Sequence, residues 1–307
     1  MSGQPYISHS DSWESTATIR NRPRRVIEDD NLRYYPMNRQ PLCTHPVIVQ
    51  LDQKVQDLIL VQSLYKYIND IIIFETEIVN KTARDIAKGN FPFLFPFDCR
   101  YDAMSVVIDE DYHAYVAMNY MHQVQERTGI APIELPSEIE LSRAIPRALC
   151  TLAPQYQAGM ELIAVAISEN TVTAEVAAFS KDPSLKRSVK GLMVDHLADE
   201  GRHSIFWINL VKLYWANIDE EARIVIGGAI PGFIEAYLTN EIQMLFDHRL
   251  VESLDISEVL REKIREDIPT SYPITKNHPM IANIRNFLKR SGLSQHETTR
   301  TGLSRYF

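Results

Sequence analysis

Two short stretches of this chain carry the same residue types at the same spacing: Asp109-Glu110-Asp111-Tyr112-His113 and Asp199-Glu200-Gly201-Arg202-His203. Each sets an imidazole three positions after a glutamate, inside a long apolar-periodic segment that reads as helix. Positions i and i+3 share a helix face, so each copy aims one carboxylate and one imidazole in one direction. A lone Glu-x-x-His is ordinary on helices, but here both copies break the amphipathic rule in the same way. Glu110 has Ala103, Val106, Val107, Ala114 and Ala117 around it at helical spacing, and Glu200 has Met193, Leu197 and Trp207. A carboxylate on an apolar face is costly to bury unless it is paired or bound to a cation. A dinuclear iron or manganese site explains both copies at once. Two such helices, joined by two more that bring one carboxylate each, enclose that kind of site in a four-helix bundle.

The remaining carboxylates follow from the faces they occupy. Glu75 shares its face with Ile68, Ile71, Ile72, Ile78 and Val79, whereas Glu77 lies among Asp70, Asn80, Lys81 and Arg84 and reads as solvated. Glu169, surrounded by Leu162, Val165, Ala166, Val172 and Val176, is preferred over Glu175 on a mixed face, with Glu161 in reserve. His196 lies four residues before Glu200 and seven before His203, on the same stripe, and is read as a seventh ligand. The expected metal set is therefore Glu75, Glu110, His113, Glu169, His196, Glu200 and His203. Its four carboxylates neutralise two divalent ions where unbalanced charge would be costly. Carboxylate and imidazole donors suit iron or manganese better than soft metals. Asp109 and Asp199 each precede a ligand glutamate, a position from which a carboxylate orients an imidazole on the facing helix.

The elements that must position these groups are helical throughout. The periodic segments run over about 51–88, 101–128, 155–181 and 184–216, with further helices over 219–248, 257–267 and 277–290. Glycines close the first two, at Gly89 and Gly129, and the proline-broken run Asn90–Phe97 reads as a packed loop. A crossover over 129–154 links two helix pairs, as a ferritin-like bundle requires. The fold class is all-α, a four-helix bundle with additional C-terminal helices. Residues 1–50 are read as an irregular arm wrapping the bundle, 51–290 as one domain and 291–307 as a tail. In 307 residues there are only 11 glycines and 45% hydrophobic residues, which favours a large helical core. A net charge of -8 argues against nucleic-acid binding. Three scattered cysteines (Cys43, Cys99 and Cys150) without a Cys-x-x-Cys pair indicate a reducing, cytoplasmic compartment. No apolar run approaches the length of a membrane span.

Taken together, Glu75, Glu110-x-x-His113, Glu169 and His196-x-x-x-Glu200-x-x-His203 resemble the p-aminobenzoate N-oxygenase family of non-haem di-iron enzymes. The third histidine is the distinguishing mark. The likeness runs from about residue 45 to 290, with a weaker echo in the arm from Trp13 to Arg25. The resemblance implies a ferritin-like homodimer that oxidises an amine with O2 to a hydroxylamine, nitroso or nitro product. It implies Glu75 and His113 on one iron, Glu169, His196 and His203 on the other, and Glu110 and Glu200 bridging. The substrate is then an aryl amine, or an aliphatic or carrier-tethered one. Nothing in the chain resembles a flavin or iron–sulfur motif, so electrons come from an external donor. Tyr67, Phe179 and Phe206 are expected along the substrate pocket. Arg285 and Lys276, and less so Arg202, are expected to receive a substrate carboxylate; Arg202 better fits pairing with a buried acid. The rival readings are a di-iron desaturase or hydroxylase of carbon, a radical-generating reductase subunit and an iron-storage protein.

Overall fold

Apolar side chains recurring every three to four positions bring four long helices face to face. The computed structural model describes residues 6–28, 30–271 and 279–303. Two short helices, α1 (Ser10–Thr16) and α2 (Thr18–Asn21), and a single turn, α3 (Pro46–Val49), precede the bundle. Its first rod is α4 (Gln53–Ile73), capped by the Asp52 side chain on the Lys54 amide, which continues through a π-helical turn at Phe74–Val79 into α5 (Asn80–Lys88). The second is α6 (Phe97–Thr128). Both rods stop at a glycine in the left-handed region, Gly89 (φ 74°) and Gly129 (φ 68°), where a side chain would be strained.

The crossover holds α7 (Glu140–Leu149) and leads to α8 (Pro154–Lys181), with Pro154 at its first turn, and then α9 (Arg187–Asn217). Five helices follow among the described residues: α10 (Glu220–Tyr237), α11 (Glu241–Ser253), α12 (Glu258–Asp267), α13 (Pro279–Ser291) and α14 (Glu297–Leu303). The single helix expected over 219–248 is split. Asn240 adopts φ 55° between α10 and α11, and the start of α11 is held by Glu140, which accepts the Ile242 amide at 2.7 Å. Part of the expected tail, 291–307, is also ordered. Leu303 and Thr299 of α14 are buried, and Thr299 lies against Gly227 of α10.

α8 is apolar around most of its circumference because neighbours enclose it on nearly every side. It is the one helix among the described residues with the length and hydropathy of a membrane span, contrary to the expectation that no segment approaches one. Within its most apolar window 61% is buried inside the protein. Cys43 and Cys99 are buried, and burial pushes their thiols up to about 12; Cys150 is exposed.

The N-terminal arm is more structured than an irregular wrap. Tyr6 Oη and Ser8 Oγ donate to Asp102 on α6 at 2.6 and 2.7 Å, and Arg25 pairs with Asp195 on α9. Arg33 exchanges backbone hydrogen bonds with Ser184 and Lys186 at the start of α9. The arm therefore ties two rods of the bundle together along one side.

Candidate metal centre

Glu75 sits in the π-helical turn, α6 carries Glu110 and His113, α8 carries Glu169, and α9 carries His196, Glu200 and His203. All seven side chains are buried, each 7% exposed or less. A π turn adds a residue to the local period and is common at functional sites. Here it separates inward Glu75 from Glu77, which is exposed.

The donor atoms fall into two overlapping groups, each with its atoms within 4.8 Å of one another: Glu75, His113, His196 and Glu200, and Glu110, Glu169, Glu200 and His203. Glu200 belongs to both. Glu110 also spans them, with one oxygen 3.0 Å from His113 Nδ1 and the other 3.1 Å from His203 Nδ1. His196 Nε2 lies 3.0 Å from Glu75 and 3.2 Å from Glu200. This departs from the grouping the family resemblance implied, in which His196 joined Glu169 and His203. Helix rise explains the difference. Seven residues advance roughly 10 Å along α9, so His196 and His203 flank Glu200 and meet opposite ends of the cluster.

Several buried atoms here lack any hydrogen-bond partner among the described residues: Glu75 Oε2, Glu110 Oε1, both oxygens of Glu169, and His196 Nε2. His196 Nε2 is close to two carboxylates but aligned with neither. Buried polar atoms are otherwise almost always satisfied, and lone pairs left over on one spot fit cations. Oxygen and imidazole donors suit iron or manganese. The electrostatics agree. Burial works against charge on His113 and His203, yet the surrounding carboxylates outweigh it and push both well above the usual histidine value. Burial, with Glu200 and Glu110 beside it, pushes Glu169 well up. So much negative charge in so small a volume calls for a positive counterpart.

The outer contacts are crossed between helices. Asp199 on α9 lies 3.1 Å from His113 Nε2, and Asp109 on α6 lies 3.2 Å from His203 Nε2. Each aspartate thus accepts a hydrogen bond from Nε2–H of the facing helix's histidine and leaves Nδ1 turned toward the glutamates. Arg202 bonds both aspartates at once. The arm completes the shell: Trp13 Nε1 donates to both oxygens of Asp109 at 3.0 Å, and the Thr18 amide donates to Asp199 at 3.2 Å. Sequence reasoning missed Trp13 and Thr18 here. Their only trace was the weak likeness in the arm.

Other expected site residues are less concentrated. Tyr67 and Phe179 stack with ring centroids 4.5 Å apart, and Tyr67 lines a cavity of ≈150 Å³ between α4, α7 and α8. Phe206 packs instead against Trp207 and His9, in a different part of the core. Arg285 is exposed on α13, and Lys276 lies outside the described residues. Glu161 pairs with Lys81 and Glu175 with Arg39, away from the cluster.

The family described as P-aminobenzoate N-oxygenase AurF matches residues 12–292. A 4-aminobenzoate N-oxygenase of Streptomyces thioluteus is 21% identical over 240 residues, covering 76% of this chain and 71% of that protein.

Proposed function

The chain belongs to the P-aminobenzoate N-oxygenase AurF family and is an oxygenase, and from that premise we propose that it transfers oxygen from O2 to the nitrogen of an amine at a di-iron centre. The observation that carries this reading is the buried seven-residue cluster with its unpartnered lone pairs. We assign Glu75, His113 and His196 to one iron and Glu169 and His203 to the other, with Glu110 and Glu200 shared. Two irons held there would supply the electrons and Lewis acidity that O2 activation requires.

The protein's part is to hold and shield. Asp199 and Asp109 keep the Nε2 protons of His113 and His203, so that both rings offer Nδ1 inward. Ile71, Phe74 and Val172, close in sequence to Glu75 and Glu169, give the cavity an apolar lining. Such a lining favours the unprotonated amine, whose lone pair is needed for attack. Electrons come from an external donor. A reducing compartment accords with three free cysteines.

We also infer a homodimer. Phe97, Tyr101, Met104, Ile108, Tyr115 and Met118 are exposed along α6. They alternate at spacings of four and three, with Asp111 at the one intervening position, which is the pattern of a helix–helix seam. Size exclusion of the purified chain tests it.

The decisive assay reconstitutes the protein with iron, adds reductant, O2 and a panel of aryl and alkyl amines, and reads products by mass spectrometry. A hydroxylamine, nitroso or nitro product supports the reading. Carbon oxidation alone, or no product from any amine, defeats it.

A further inference from the structure

We propose that the cavity beside Tyr67 is a substrate chamber that selects an amine carrying a second, cationic group, and that it discriminates against aminobenzoates. This rests on the amine N-oxygenase reading and names the substrate class of that same site.

The cavity has an apolar end and a charged end. Ile71, Phe74 and Val172 form the apolar end, one turn or less from Glu75 and Glu169 along their helices. Lys66, Asp70, Glu140 and Glu175 line the cavity too, among Ile139, Leu141, Tyr67 and Tyr237, so three carboxylates face one ammonium. Two of the carboxylates are incompletely matched. Lys66 bonds Asp70 Oδ2, while Asp70 Oδ1 is buried with no partner among the described residues. Among the described residues Glu175, 34% exposed, pairs with Arg39 at 3.9 Å, and that guanidinium also lies over the Phe179 ring. Glu140 differs, because it is engaged by the Ile242 amide. The Tyr67 hydroxyl, on the same wall, is likewise buried and unpartnered. Burial pushes the carboxyls of Asp70 and Glu175 up, against the lowering pull of Lys66 and, for Glu175, Arg39.

A substrate amidinium or ammonium at this end would supply the missing donors to Asp70, Glu175 and Tyr67. A carboxylate would meet two under-compensated carboxylates and would have to take Lys66 from Asp70. The dimensions suit a para-disubstituted ring. Asp70 precedes Glu75 by five residues and Glu175 follows Glu169 by six, so the charged end stands roughly 8–9 Å along the helices from the ligand glutamates. The reacting nitrogen stays neutral at the apolar end while the cation sits at the far one.

The test uses three probes of nearly equal shape: 4-aminobenzamidine (cation), 4-aminobenzamide (neutral) and 4-aminobenzoate (anion). Binding of each to the iron-reconstituted protein is measured by calorimetry under argon. The amidine should bind at least about tenfold tighter than the benzoate. Asp70→Asn and Glu175→Gln should each reduce that preference while leaving benzamide affinity within about twofold, with thermal melts confirming that both variants fold. Benzoate binding as tight as the amidine's, a preference untouched by both substitutions, or binding of none of the probes overturns the proposal. Selective amidine binding without any N-oxidised product would instead defeat the oxygenase reading and leave the charge selection standing. N-oxidation of 4-aminobenzoate without selectivity would do the reverse.

Discussion

Around His113, Nδ1 stands 3.0 Å from Glu110 and Nε2 3.1 Å from Asp199; around His203 the matching separations are 3.2 Å to Glu200 and 3.2 Å to Asp109. The repeated Asp-Glu-x-x-His thus builds two half-sites with the same internal geometry, and Arg202 ties their outer aspartates together. What surrounds them differs. The His113 half gains a second imidazole from His196 and is completed by Glu75. It also faces a narrow cleft of ≈30 Å³, roofed by Arg22, Pro23, Arg24 and Arg25 of the arm. The His203 half is completed by Glu169, whose two oxygens have no partner among the described residues. Repetition therefore sets the common frame, and single residues outside the repeat make the halves unequal: one has a second imidazole, the other a carboxylate with both oxygens unpartnered where Glu75 has one.

The largest effect should come from breaking what the halves share. Glu200→Ala removes a donor from both, and iron content should fall from two per chain toward zero with more than about a hundredfold loss of turnover, read by metal analysis and product yield. Breaking one half should be asymmetric. His196→Ala should strip the His113 half and keep an ion beside His203, whereas Glu169→Ala should do the opposite. Iron titration monitored by X-ray absorption would show more imidazole donors per remaining ion in the second variant, two against one, if His196 sits where the structure has it.

A smaller loss is expected from the crossed aspartates. Asp199→Asn should weaken the His113 half and Asp109→Asn the His203 half, each by about 10–100-fold in metal affinity, because the amide no longer fixes the ring. Equal effects of both changes on one half would contradict the crossing. The smallest effect belongs to the arm. Trp13→Phe leaves Asp109 short of a donor and should cost about 1–3 kcal/mol in thermal unfolding, with the metal-bound form less affected.

The repeat and the apolar faces made much of the centre legible before any coordinates, because a buried carboxylate on a helix is conspicuous against its neighbours. Glu75 stood out over Glu77 for that reason. What stayed hidden were features without periodicity. The π turn at Phe74–Val79 alters the period by one residue, too little to see in a pattern. The assignment of His196 to its half depends on helix rise relative to Glu200, not on residue type. Trp13 and Thr18 lie in a polar arm where single residues carry no signal. The break at Asn240 needed the capping of α11 by Glu140, a contact distant in sequence.

The central claim is a dinuclear centre with unequal halves. Mössbauer spectroscopy of the protein reconstituted with iron-57 and reduced under argon addresses it directly. The account predicts two irons per chain in equal amounts, giving two distinct high-spin ferrous signals, one of which is lost in His196→Ala. A single iron per chain, or two identical signals that His196→Ala leaves unchanged, would contradict it.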